Sequence, residues 1–108
     1  MVGDHAIAIE MDQNDRGLVV RVMGALDMAN APHFLLTVGP PVEKPITVDL
    51  RGLTFLDSSG LSCLIGLRDE CSGGLRLIEG PPPVHKIFEV TGTVDEFDWI
   101  APSREPRH

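Results

Sequence analysis

The sequence predicts an α/β domain built on a mostly parallel sheet, and three features carry that expectation. Apolar stretches of strand length alternate with stretches of helical periodicity along the 108 residues, which implies βαβ crossovers. One short stretch, "PITVDL" (45–50), is β-branched and apolar enough to be a central strand covered on both faces. A polar turn, "DQNDRG" (12–17), separates the first two strand-like stretches and predicts an antiparallel hairpin at the N-terminal side.

The elements come in a simple order. "HAIAIEMD" (5–12) and "GLVVRVMG" (17–24) are the hairpin strands. Leu26 to Val38 reads as a helix, with Asp27 and Asn30 as candidate caps, Pro32 tolerated in its first turn and "GPP" (39–41) as its stop. After the central strand, "TFLDSSGLSCL" (54–64) opens a second helix that runs to about Glu70 and halts at "SGG" (72–74). "LRLIEG" (75–80) is a strand. "PPPVHKIFEVTG" (81–92) is a helix with Val84, Ile87, Phe88 and Val90 at roughly helical spacing, and "FDWIAPS" (97–103) is a last short strand. Residues 1–101 form one domain, and 102–108 a polar tail.

Composition narrows the function classes. Hydrophobic residues make up 43% and charged residues 23% of the chain, as in ordinary globular proteins. With 9 basic against 16 acidic residues the formal charge is −7. Such a surface repels phosphate backbones, so direct nucleic-acid binding is not expected. No stretch approaches the ~20 apolar residues of a membrane span. The acidic start "MVGDHAIAIEMDQ" lacks the features of an export signal, so a cytoplasmic location is expected. On one helix Cys63 and Cys71 would stand ~12 Å apart, too far for a disulfide. They also lack the histidine pair of a zinc site, and no metal or cofactor is expected.

The turn "LDSSG" (56–60) sits after a central strand and before a helix, where functional loops of parallel sheets gather. Asp57, Ser58 and Ser59 are all good N-caps, and Gly60 lets another surface come close. On the helix after this turn, Leu61, Leu64 and Ile65 share a stripe widened by Cys63 and Leu67. Ser62, Gly66 and Asp69 fall on the opposite, low-relief face. Residue chemistry alone leaves two readings open: a helix start and nothing more, or a docking face beside a modifiable hydroxyl. Catalysis has little support. His5, His33, His85 and His108 are scattered, and neither a nucleophile elbow nor a phosphate loop is present.

"VDLRGLTFLDSSGLSCLIGL" (48–67) resembles the signature of STAS domains, in particular the bacterial anti-sigma factor antagonists. "VVRVMGALDMANAPHF" (19–34) and "LRLIEGPPPVHKIFEVTG" (75–92) resemble other parts of the same family in order and spacing, so the likeness covers about residues 5 to 101. It implies a STAS-type fold: a mixed, mostly parallel sheet of 4–5 strands packed by 3–4 helices. Relative to that pattern, "VGPPVEKP" (38–45) predicts a trimmed first helix, and the end soon after "FDWIAP" a shortened C-terminal part.

By position, the resemblance makes Ser58 the phosphorylation site, with Asp57, Ser59, Gly60, Ser62, Gly66 and Asp27 as switch or partner-binding residues. It implies a non-enzymatic antagonist, monomer or weak dimer. Unphosphorylated, it binds an anti-sigma factor with serine kinase activity and frees a sigma factor. ATP-dependent phosphorylation ends that contact, and a PPM-type phosphatase restores it. The alternative within the same family is a non-phosphorylated adaptor or ligand-sensing module in a lipid-trafficking, transporter or sensory complex.

Overall fold

In the computed structural model the described residues are 6–39 and 43–102. The hairpin forms as expected: β1 (Ile7–Asn14) pairs antiparallel with β2 (Gly17–Leu26) across the Asp15–Arg16 turn. Gly17 has φ 140°, and a Cβ there would collide with the Pro45 carbonyl oxygen. That close approach lets the Leu18 N–H donate to the Pro45 carbonyl at 2.9 Å, which starts β2 alongside the next strand.

α1 (Ala31–Val38) precedes β3 (Ile46–Leu56), which leads into α2 (Ser58–Glu70), β4 (Leu75–Ile78), α3 (Pro82–Thr91), a 3-10 turn at Val94–Glu96 and β5 (Asp98–Ile100). The five strands lie in sequence order, β1-β2-β3-β4-β5, and every pairing after the first is parallel. β3 is therefore the central strand. Its register sets Val48 between Val20 of β2 and Leu77 of β4, a fully buried transverse row. Phe34 and Val38 of α1, Leu61, Leu64 and Leu67 of α2, and Val84 and Phe88 of α3 join alternate residues of β2, β3 and β4 in one core. Burying each such side chain stabilises the fold by roughly 1.5–3 kcal/mol.

Several boundaries differ from expectation. β2 and β3 each run on, because Ala25 pairs with Phe55 and Leu26 with Leu56 beyond two register shifts. Ladder hydrogen bonds thus claim Leu26, and α1 starts at Ala31, leaving a trimmed helix of 8 residues. Gly39 comes directly after α1, whereas the two prolines beyond it lie outside the described residues. Val90 is 66% exposed. At 100° per residue it lies far around α3 from the Val84–Phe88 line that faces the sheet. β5 has only 3 residues. Trp99 anchors it, meeting the Phe88 ring edge-on at 4.9 Å and donating its indole N–H to the Val94 carbonyl at 2.8 Å. The polar tail lies, apart from Pro102, outside the described residues.

Candidate functional site

β3 ends at Leu56 and α2 begins at Ser58, so Asp57 is the entire connection. Its backbone is extended (φ −114°, ψ −173°), as an N-cap requires. One carboxylate oxygen accepts from the Gly60 N–H at 2.9 Å. The other accepts from the Met28 N–H in the β2–α1 turn at 3.3 Å. The Asp57 N–H is directed at the Leu26 carbonyl at 3.5 Å. Two adjacent parallel strands thus end together, and the Asp57 carboxylate bridges the segments that leave them, α2 after β3 and the turn after β2.

This geometry separates the roles that the sequence left merged in "DSSG". Asp57 is the cap, so neither serine is needed for it. Ser58, the first residue of α2, is exposed, and Ser59 is half-buried. Ser62 and Gly66 continue from Ser58 as an exposed strip one and two turns along. A Cβ on Gly66 would meet nothing within 4 Å. Leu61, Cys63, Leu64 and Leu67 are buried and Ile65 is half-buried, as the periodicity predicts.

Two expected contact residues turn inward. Gly60 is buried, and the surface that comes close to it is the chain's own Leu26 and Leu56. Asp27 is only 8% exposed and accepts from the Asn30 N–H at 3.0 Å. Asn30 in turn donates its side-chain amide to the Ala25 carbonyl at 3.0 Å. Both Gly60 and Asp27 shape the site from beneath instead of offering a face. Conversely, sequence reasoning passed over Met28, which is 74% exposed while its backbone is tied to Asp57. Reading 26–38 as helix hid it, because a turn residue's exposure has no periodic signature.

The STAS domain family model matches residues 8–105. The chain belongs to the STAS domain family. It is 28% identical over 93 residues to the anti-sigma F factor antagonist of Paenibacillus polymyxa, covering 80% of each chain. It is 26% identical over 102 residues to the anti-sigma-B factor antagonist of Bacillus subtilis (strain 168), covering 90% of this chain and 94% of the other. Among solved structures, an anti-sigma factor antagonist from Mycobacterium paratuberculosis superposes with a TM-score of 0.78 at 25% identity, over 93% of this chain and 89% of that one. The antagonist SpoIIAA in its unphosphorylated form superposes with a TM-score of 0.71 at 22% identity, over 91% and 90% of the two chains, and shows the same fold.

In the last turn of α2, Arg68 pairs with Asp69 at 2.9 Å and donates to the Glu96 carbonyl at 2.9 Å. The Asp69 carboxylate first, and with it the Glu96 carboxylate at 3.4 Å, raise the pKa of its guanidinium against the opposing effect of desolvation. Asp49 on β3 is gripped by Arg51 at 2.9 and 2.7 Å. Burial alone would raise the Asp49 pKa, but the Arg51 hydrogen bonds and the charges of Arg51 and Arg21 together hold it below the usual carboxylate range. Cys63 and Cys71 are both buried, and the Cys71 thiol donates to the Gly74 carbonyl at 3.3 Å. Burial pushes Cys63 up to about 11, away from the thiolate form that reacts. Among the described residues, no group of His, Cys, Asp and Glu is arranged to hold a metal ion. Nor is any helix among them long and apolar enough to cross a membrane.

Proposed function

We propose that this STAS domain is an anti-sigma factor antagonist regulated at Ser58. Unphosphorylated, it binds an anti-sigma factor with serine kinase activity in the cytoplasm and so frees a sigma factor. The kinase then uses ATP to phosphorylate Ser58, the contact is lost, and a PPM-type phosphatase restores the binding form. The protein is a substrate in this cycle, not an enzyme. The observation that carries the reading is the exposed Ser58 at the first position of α2, with capping assigned to Asp57 and the Ser62–Gly66 strip beside it.

A phosphate there adds a charge of about −1.5 to −2. The free amides and dipole at the N-terminus of α2 accommodate an anion, so the fold survives. At a docked interface the same group must lose its water and takes the partner's space. A penalty of about 2–4 kcal/mol there weakens binding roughly 30- to 1000-fold. That suffices to exchange partners without refolding.

The direct test is incubation with ATP and anti-sigma kinases purified from the source cell, then mass spectrometry. One phosphate on Ser58 is the expected product. Phosphate on Ser59 alone would move the site by one residue, and no phosphate from any such kinase would overturn the reading.

A further inference from the structure

The β2–α1 turn is braced on two sides by carboxylates that belong to different parts of the chain. From within, Asp27 accepts from the Asn30 N–H at 3.0 Å. From across the site, Asp57 accepts from the Met28 N–H at 3.3 Å. Capping α2 needs only the other Asp57 oxygen, the one on the Gly60 N–H. The second oxygen therefore does something a plain cap does not. It fixes the backbone of the turn that carries Met28, a large apolar side chain left 74% exposed. An apolar side chain on an ordered backbone is a better anchor for a partner, because the backbone share of the ordering cost does not have to be met when it docks.

We propose that Asp57 is a positioning residue for partner recognition, clamping the Met28 turn to the start of α2 so that Met28 is presented as an apolar anchor beside Ser58. The inference rests on the function proposed above and adds a second, non-covalent half to the recognition site. The partner's complementary element is an apolar pocket that receives Met28 while the adjoining surface covers the Ser58 hydroxyl. Asp57 touches the partner less than it orders what does.

Asp57→Ser separates the two oxygens. Serine is among the best N-caps, so α2 keeps its start, but its single short hydroxyl cannot also reach Met28. Asp57→Asn is the second variant, since it keeps the shape while its amide arm opposes the Met28 N–H with another donor. Both should melt within about 4 °C of the parent. In both, exchange of the Met28 amide measured by NMR should quicken about fivefold relative to that of Asn30, which Asp27 still holds. Affinity for the anti-sigma kinase that phosphorylates Ser58 should fall about tenfold. Met28→Ala should lose a similar factor with the turn intact, Met28→Leu should restore most of it, and Asp57→Ser should add little to Met28→Ala. Unchanged Met28 exchange in both Asp57 variants would refute the clamp, whatever the partner does. Faster exchange with undiminished binding would refute the anchor. If no anti-sigma kinase binds the parent protein, the recognition role fails together with the function beneath it, while the exchange result still stands by itself.

Discussion

Gly60 lies against the end of β2 so closely that a Cβ on it would collide with the Leu26 carbonyl oxygen and sit 2.6 Å from a methyl of Leu56. The glycine of the motif is thus explained inside the molecule, where α2 must start almost on top of the neighbouring strand. Gly60→Ala forces α2 away from Leu26, at a cost of about 1–3 kcal/mol typical of overpacking. Urea melts of the purified variant should show a lower midpoint. A midpoint equal to the parent's would contradict the close approach.

Ser58 differs from Gly60 in that its side chain is exposed and spared from capping. Ser58→Ala should retain the parent's thermal midpoint and its affinity for the anti-sigma partner, yet accept no phosphate. Ser58→Asp should keep the fold and bind at least about tenfold more weakly, since one carboxylate reproduces part of the phosphate charge. Calorimetric titration of the three proteins decides this. An acidic variant that binds like the parent would remove the charge argument.

Asp49 is buried in the sheet and held in its charged form by Arg51. Asp49→Asn should cost about 1–2 kcal/mol at neutral pH, toward the low end for charged hydrogen bonds because Arg51 is half-exposed. The sign of the pH dependence is set by the lowered pKa. A carboxyl depressed in the folded state contributes fully above its unfolded value of about 3.9, and the contribution is lost as pH falls through the folded pKa. Denaturation curves of parent and variant should therefore converge below about pH 4. A gap that persisted undiminished in acid would show that the effect is not electrostatic.

Cys63 behaves in the opposite sense. Burial raises its thiol to about 11, so its contribution to stability is fully present below the unfolded value and disappears as pH rises through the folded one. Relative to a Cys63→Ala variant, the parent should lose stability between about pH 8.5 and the folded value. Iodoacetamide at about pH 8, near the ordinary thiol pKa, should label neither Cys63 nor Cys71 in the native protein and both in denaturant, read as mass increments. Rapid native labelling of Cys63 would contradict its burial.

Much of this architecture was legible from local pattern. The strand–helix alternation, the opening hairpin, the central place of "PITVDL" and the inner stripe of α2 all depend on period and turn chemistry, which neighbouring residues encode. The motif's position at a strand end was legible for the same reason. The boundaries around it were not. β3 continues to Leu56, and β2 to Leu26, because each offers the other a ladder partner. Propensity along one segment cannot see that partner, and so Leu26 looked helical.

The sequence by itself determined the order and type of the elements, the family resemblance and the serine to which it points. Only the tertiary structure decided how the motif's work is divided: Asp57 caps α2 and ties the Met28 turn, Gly60 and Asp27 lie inside, and Ser58 is exposed beside Ser62 and Gly66. The reason is physical. Periodicity and turn chemistry act between residues close along the chain, whereas burial and the Asp57–Met28 hydrogen bond, 29 residues apart, arise only when separate strands finish at the same end of the sheet.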